Sequence, residues 1–219
     1  MTAVLAQRTR ETGGCRIGLD LDNTIIDYRR LFAEVAFGLG LVGADFVGDK
    51  FLLRQAVRAL PEGERRWTEL QAEVYGARIA GARVMPGALG FVRRAVALGI
   101  PLFIVSHKTH RPAADPDGVD LRDAATGWLQ QNGFLAADAL KRSQVFYETT
   151  RAEKIARIRA LGCTVFVDDL IEVFEDADFP TETARLLLAE DGAAGGNYRV
   201  VASWREAEES VFSRLHHVG

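Results

Sequence analysis

The sequence has few cysteines, no long apolar run and no excess of basic residues, and each absence excludes a class of protein. Its 219 residues include two cysteines, too few for the disulfide-rich scaffolds of small secreted proteins. No stretch approaches the roughly 18 uninterrupted apolar residues of a membrane span. The formal net charge is −3, and without a basic face the chain is not expected to bind nucleic acid.

The N-terminal segment also lacks a feature, because residues 1–14 contain no apolar signal-peptide core. We therefore expect a flexible leader on a cytoplasmic protein without a membrane partner. Cys15 and Cys163 each precede an acidic pair by five residues. That spacing would allow a disulfide, but in a reducing cytosol two free thiols are the simpler expectation. The length fits one large domain, or a core with a modest insertion.

The most informative feature is a pair of apolar stretches that both end in acidic residues. They are residues 17–22, Ile-Gly-Leu-Asp-Leu-Asp, and residues 165–169, Val-Phe-Val-Asp-Asp. A buried strand has little reason to end on two carboxylates unless a cation meets them there. Ligands of open α/β sheets bind at the carboxyl ends of the strands. The two stretches therefore predict a ligand site at one edge of a sheet.

Strand and helix patterns alternate along most of the chain. The strand that leads to Asp168 is expected at 163–167, and further strands are expected at 100–105, 144–147, 185–189 and 199–202. Thr150 with Glu153 and Ser203 with Glu206 are capping-box signatures that begin two of the intervening helices. This alternation is typical of an α/β fold, with a parallel sheet wrapped by helices on both faces in three Rossmann-like layers.

Residues 28–84 interrupt the alternation, because they show helical periodicity without a strand signal. Helices are expected at about 50–60 and 64–79. The α/β core would then comprise 15–27 and 85–219, with a small all-helical insertion after the first strand. The aromatic residues expected to form the core of this insertion are Phe32, Phe37, Phe51, Trp67 and Tyr75.

Polar groups follow several of the strands, and parallel neighbouring strands would bring them to one edge. They are Asp20, Asp22, Ser106, Lys154, Asp168 and Asp169. Several carboxylates cannot stay together unpaired, because mutual repulsion and desolvation would protonate some of them. Mg²⁺, which prefers oxygen ligands, resolves this conflict. Ser106 and Lys154 add a hydroxyl donor and a positive charge, which suit phosphate oxygens, so the set predicts phosphoryl transfer.

This set of motifs resembles the haloacid dehalogenase (HAD) superfamily over residues 15–190. The superfamily's motifs are an Asp-x-Asp-x-Thr after a strand, a Ser or Thr ending an apolar strand, a Lys, and an acidic pair after an apolar strand. In this sequence they stand as Asp20-Leu21-Asp22-Asn23-Thr24, Ile104-Val105-Ser106, Lys154 and Asp168-Asp169.

The resemblance implies a role for each motif residue. Asp20 would attack phosphorus and carry a transient aspartyl-phosphate, and Asp22 would protonate the leaving group and then activate water. The superfamily's dehalogenases lack an acid at that second position, so the chain is similar to its phosphatases. The implied Mg²⁺ ligands are Asp20, the backbone carbonyl of Asp22, Asp168 and, directly or through water, Asp169. The implied phosphate-binding residues are Ser106, Lys154 and Asn23.

The position of the insertion, residues 28–84, corresponds to the C1-type cap of the superfamily, which is typical of enzymes for small soluble phosphates. The expected partner is a small phosphorylated metabolite, either a sugar phosphate or a nucleotide-like compound. The loop after Ser106 carries His107, Lys108 and Arg111, which could contact substrate or form a solvated surface. Lys108 also competes with Lys154 for the role of phosphate clamp. No residue pattern indicates an oligomeric state.

Several alternatives remain open at this point. Ser106 could be a strand-end hydroxyl, and Asp168 with Asp169 could cap a helix that begins at 170. A phosphotransferase would need only an acceptor other than water. A non-catalytic phosphate-binding regulatory module is less favoured, because it would not need Asp22. A receiver domain of two-component signalling is excluded, because its lysine follows the acidic residues whereas here the acidic pair comes last.

Overall fold

The computed structural model describes residues 14–115, 117–189 and 196–213. The predicted leader, 1–14, lies outside the described residues except for Gly14. The chain divides into two units. Unit 2 contains Ile26–Arg83 and Lys108–Asn132, and unit 1 contains Val84–His107 and the described residues before 26 and after 132. No described helix is both long enough and apolar enough to cross a membrane.

The elements are numbered along the described chain. The strands are β1 Ile17–Leu19, β2 Ile26–Asp27, β3 Arg83–Val84, β4 Leu102–His107, β5 Val145–Glu148, β6 Val165–Asp168, β7 Ala184–Leu188 and β8 Arg199–Val201. The α-helices are α1 Arg29–Gly38, α2 Lys50–Arg58, α3 Gly63–Tyr75, α4 Ala88–Ala97, α5 Leu121–Gln131, α6 Arg151–Ala160, α7 Ile171–Phe174 and α8 Trp204–Phe212.

Unit 1 is built on a six-stranded parallel sheet with the order β5-β4-β1-β6-β7-β8. The central strand β1 places Leu19 opposite Ile104 of β4 and Val167 of β6. The residues at the carboxyl ends of these three parallel strands, among them Asp20, Ser106 and Asp168, therefore lie at one edge of the sheet. The predicted α/β class and its parallel sheet are confirmed.

Helices cover both faces of this sheet, which is why its strands are continuously apolar. On one face, Ile155 and Ile158 of α6 pack in a cluster with Val105 and Phe166 of the sheet. Two further helices of this unit, α4 and α8, are joined by aromatic contacts, with the ring of Phe91 centred 4.9 Å from Trp204 and 5.0 Å from Phe212.

Local capping explains where these helices begin. The Thr150 hydroxyl accepts a hydrogen bond from the Glu153 amide, and the Glu153 carboxylate accepts one from the Thr150 amide, as the predicted capping box requires. This fixes the first turn of α6. At α8 the Ser203 hydroxyl accepts from the Glu206 amide, whereas the Glu206 carboxylate accepts from the Ala202 amide instead of that of Ser203.

Unit 2 is mainly helical, and an aromatic cluster forms its core. The ring of Phe32 stacks on Trp67 at 5.6 Å and meets Tyr75 edge-on at 5.5 Å. The expectation that Phe37 and Phe51 also belong to this core is wrong, because they are 54% and 62% exposed. Helical periodicity identifies an apolar face but does not show how wide the covered part of that face is.

The structure also differs from the expected division of the chain. Residues 108–132, which the sequence assigned to the core, belong to unit 2, and the insertion expected to be all-helical ends in the short strand β3. Within unit 2, Trp128 of α5 is fully buried and its indole Nε1 donates to the Ala82 carbonyl at 3.1 Å. The apolar face of α5 is therefore covered by unit 2, and the sequence pattern shows only that this face is buried.

Gly18 gives a first testable prediction, because β1 passes close to a buried ring. A Cβ added at Gly18 would lie 2.4 Å from Cδ2 of Phe166 and 3.0 Å from Sγ of Cys163. Phe166 is fully buried, so Gly18→Ala is expected to lower the free energy of unfolding by about 1–3 kcal/mol through overpacking. Chemical denaturation of the two proteins measures the difference.

Gly90 supplies the matched control. It is an exposed position in α4, and an added Cβ there would meet nothing within 4 Å. Gly90→Ala should raise the free energy of unfolding by about 0.5–1 kcal/mol, because alanine is the better helix former. Equal effects of the two substitutions would contradict the packing argument for Gly18.

Candidate active site

The centre of the candidate site is a buried lysine that bridges two carboxylates. Nζ of Lys154 donates to Oδ1 of Asp20 at 2.6 Å and to Oδ2 of Asp168 at 2.7 Å. The three residues are 1%, 5% and 0% exposed, respectively. The Asp20 amide donates to the Val167 carbonyl at 2.8 Å, so the pairing of β1 with β6 continues up to the site. The motif that begins at Asp20, the motif lysine Lys154 and the acidic pair that begins at Asp168 therefore meet within unit 1.

The capping box explains how Lys154 comes to the site, because it begins α6 just before this residue. The first turn of a helix is an unfavourable place for a cation, since the helix dipole is positive there. Burial adds a desolvation cost. The carboxylates of Asp20 and Asp168 compensate for both, and a lysine held in this way orients the two acids that flank it.

The electrostatics show an excess of negative charge around Asp20. Burial raises the pKa of Asp20 well above its usual range, Lys154 opposes this rise, and the charges of Asp168, Asp169 and Asp22 add to it. For Lys154, burial alone would lower the pKa, but Asp168 and Asp20 outweigh burial and raise the pKa above its usual value. Lys154 is therefore a cation at neutral pH, yet it does not balance all of the acids.

Three of the acids could hold a metal ion together. Asp20, Asp168 and Asp169 each offer an oxygen, and these oxygens all lie within 4.8 Å of one another. When all three are ionised, one lysine leaves two negative charges uncompensated, which suits a hard divalent cation with oxygen ligands. The Asp22 carboxylate is not part of this cluster, and the predicted contribution of Asp22 is its backbone carbonyl. The donor set thus fits the predicted metal.

Ser106 lies in β4, the neighbour of β1, at the same edge of the sheet. It is 1% exposed, and its hydroxyl Oγ has no hydrogen-bond partner among the described residues. A buried hydroxyl without a partner is costly and uncommon. An oxygen-rich ligand at this edge would remove the cost, so this orphaned atom is the strongest sign of a binding site.

The residues after Asp20 form a tight turn. Asn23 has a φ of 59°, the left-handed region that Asn adopts more readily than most residues. The buried Thr24 follows, with its hydroxyl donating to Oδ1 of Asp169 at 3.4 Å and its carbonyl accepting from the Trp204 indole at 2.9 Å. The turn keeps Asp22 beside Asp20. Sequence reasoning gave no role to Thr24, although it is the last residue of the first motif.

The predicted substrate-loop residues are divided between the units. His107 belongs to unit 1, is exposed, and its Nε2 lies 2.8 Å from the Thr149 carbonyl. Lys108 and Arg111 belong to unit 2, where Nζ of Lys108 lies 5.2 Å from the ring centroid of Tyr75 and Arg111 donates to the Gly118 carbonyl. Of the two lysines considered as the phosphate clamp, Lys154 is the one held by Asp20 and Asp168.

Comparison with known proteins identifies structural likeness without close sequence relatives. No protein-family model matches the chain, and no curated protein matches it either. Among solved structures, a HAD family hydrolase from Deinococcus radiodurans with bound phosphate and sodium matches with a TM-score of 0.58, at 18% identity, over 92% of this chain and 96% of its own.

Two further solved structures are similar. A HAD hydrolase, family IA, variant 3, from Entamoeba histolytica matches with a TM-score of 0.58 at 10% identity, over 92% of this chain and 98% of its own. A predicted phosphoglycolate phosphatase from Haemophilus somnus matches with a TM-score of 0.50 at 13% identity, over 89% of this chain and 96% of its own. At such identities the likeness establishes the fold, which is the HAD-type fold.

Proposed function

We propose that this chain, which has the HAD-type fold, is a Mg²⁺-dependent phosphatase that hydrolyses a small phosphorylated metabolite through an aspartyl-phosphate on Asp20. The observation that carries the proposal is the buried contact of Lys154 with Asp20 and Asp168. The orphaned hydroxyl of Ser106 supports it, because phosphate oxygens would satisfy that hydroxyl. Further support comes from the similar Deinococcus hydrolase, whose structure contains bound phosphate and sodium.

The proposed reaction has two steps. In the first, a carboxylate oxygen of Asp20 forms a bond to phosphorus while the bond from phosphorus to the leaving oxygen breaks, and Asp22 gives that oxygen a proton. In the second, Asp22 takes a proton from water, the water oxygen bonds to phosphorus, and the bond from Asp20 to phosphorus breaks. Inorganic phosphate leaves, and both aspartates return to their first state.

The remaining residues bind and orient the phosphoryl group. Mg²⁺, held by Asp20, Asp168 and Asp169, would supply positive charge to the phosphoryl oxygens. Lys154 fixes the position of the nucleophile, because its ammonium group holds Oδ1 of Asp20 at 2.6 Å. The Ser106 hydroxyl donates a hydrogen bond to a phosphoryl oxygen. The arrangement combines a positioned nucleophile with electrostatic stabilisation of the transferring group.

Phosphate release from a substrate panel tests this proposal. The panel contains sugar phosphates, nucleotides, phosphoglycolate and a generic aryl phosphate, each assayed with Mg²⁺ and with a chelator. We expect turnover with Mg²⁺ that the chelator abolishes and added Mg²⁺ restores. Turnover that is unchanged in chelator would contradict the metal requirement. Absence of turnover together with absence of Mg²⁺ binding by calorimetry would overturn the enzymatic proposal.

Ser106→Ala separates a role in binding from a role in the fold. Loss of one hydrogen bond to a charged phosphoryl group is expected to lower kcat/KM by about 10- to 100-fold. The free energy of unfolding should stay the same or rise, because the substitution removes a buried hydroxyl that has no hydrogen-bond partner among the described residues. Steady-state kinetics and chemical denaturation measure the two effects. Ser106→Thr, which keeps a hydroxyl, is the matched variant and should retain more of the activity.

The opposite result for Ser106 is equally informative. A Ser106→Ala protein that loses stability and keeps its kcat/KM would show that the hydroxyl stabilises the end of β4 and does not bind the phosphoryl group. The phosphoryl group would then need another donor.

A further inference from the structure

A second feature of the chain lies wholly within unit 2 and includes none of the motif residues named above. It is a cleft of about 410 Å³ between α3, the end of α1 and the loop before α5, and its volume is within the range of small-molecule sites. Four apolar residues, Leu39, Leu41, Ala72 and Ala114, line it together with charged residues of α3 and the loop before α5. All of them belong to unit 2.

Most of the charged side chains of the cleft are already paired. Arg65 forms ion pairs with Glu62 and Glu69. Glu73 accepts a hydrogen bond from Nε of Arg78 at 3.0 Å. These pairs neutralise one another, so they neither attract nor repel a ligand strongly.

Arg66 differs from its neighbour Arg65. Its side chain is half-buried, and its Nε is fully buried without a hydrogen-bond partner among the described residues. A buried N–H of a cation that lacks an acceptor carries the full cost of its desolvation. An anion that pairs with the guanidinium of Arg66, which lines the cleft, would offset that cost by charge compensation. The structure therefore points to a ligand that carries an acceptor for Arg66.

The cleft also indicates which kind of anion fits. The planar guanidinium presents its donors in a fork that matches the two oxygens of a carboxylate. Leu39, Leu41, Ala72 and Ala114 give the cleft an apolar wall that suits a short hydrocarbon body. The Asp115 carboxylate on the same lining opposes a second negative charge, which disfavours a phosphate dianion.

We propose that this cleft is a binding site for a small monocarboxylate, with Arg66 as the group that pairs with the carboxylate and the apolar wall as the contact for the ligand body. The proposal is independent of the phosphatase chemistry, because it uses residues of unit 2 alone and its test does not measure turnover. Either proposal can fail without the other.

The test is a titration of the full chain with acetate, propionate and butyrate at constant ionic strength. The side-chain methyl NMR signals of Leu39 and Leu41 and the Nε–H signal of Arg66 report on the cleft. We expect saturable shifts, with affinity rising up to about fourfold for each added methylene as apolar surface is buried. Shifts that never saturate would overturn the proposal, as would inorganic phosphate binding as tightly as propionate.

Three variants test whether the carboxylate binds in the cleft and whether its affinity depends on the charges of Arg66 and Asp115. Arg66→Gln should weaken propionate binding at least tenfold by the methyl signals, whereas Arg54→Gln, at an exposed arginine outside the cleft, should leave it unchanged. Asp115→Asn should strengthen binding, because it removes a negative charge from the lining. Unchanged binding in Arg66→Gln, or weaker binding in Asp115→Asn, would overturn the proposal.

Discussion

Asp20→Asn is expected to abolish phosphate release, lowering turnover by about 10⁴-fold or more, because an amide oxygen is a poor nucleophile and cannot carry the covalent intermediate. The free energy of unfolding measured without metal should not fall. The substitution removes the charge of Asp20 itself, which the nearby charges of Asp168, Asp169 and Asp22 disfavour. Initial rates on the best substrate and chemical denaturation in chelator measure these two quantities.

The matched control is Asp176→Asn. Asp176 lies in the same unit and forms an ion pair with Arg151 at 3.4 Å, outside the candidate site. The Asp176→Asn variant should keep the turnover of the unmodified enzyme.

A second experiment looks for the covalent intermediate. The unmodified enzyme is mixed briefly with substrate and quenched with acid, and mass spectrometry should then find one phosphoryl group on the peptide that contains Asp20. Turnover that survives in Asp20→Asn would contradict the covalent mechanism.

The features that could be predicted from the sequence are those with a local signal. The acidic ends of 17–22 and 165–169 predict a site at a sheet edge, because an apolar run that stops on two acids is unusual without a cation. The pattern of Thr150 and Glu153 predicts the start of α6, which in turn places Lys154 in its first turn. The parallel sheet follows from the alternation of strands and helices.

The features that could not be predicted depend on contacts between distant segments. The amphipathic pattern of α5 predicts a buried face, yet its assignment to unit 2 depends on partners such as Ala82. The exposure of Phe37 and Phe51 likewise depends on which neighbours are present. Arg66 looks like any helix arginine in the sequence, and only the fold shows that its Nε is buried without an acceptor.

Lys154→Met tests whether the lysine is the cation that makes the buried acids tolerable. Methionine is unbranched and adaptable enough to occupy much of the same space, but it leaves Asp20 and Asp168 buried without the ammonium group that contacts both. Removal of one partner from a buried ion pair costs about 3–5 kcal/mol. For a chain of this size that corresponds to a fall in Tm of roughly 6–20 °C, measured in chelator. Lys141→Met, at an exposed lysine of the same unit, should change the Tm little.

The same variant separates the lysine from the proposed metal. Without Lys154 the acidic cluster of Asp20, Asp168 and Asp169 carries one more uncompensated negative charge. Mg²⁺ should therefore raise the Tm of Lys154→Met by more than it raises that of the unmodified protein, because a ligand stabilises the folded state according to its affinity. Activity should remain low even with saturating Mg²⁺, since the metal does not restore the hydrogen bond that positions Asp20. An unchanged Tm in chelator would show that these carboxylates need no cation, and an equal Mg²⁺ effect in the two proteins would place the metal away from them.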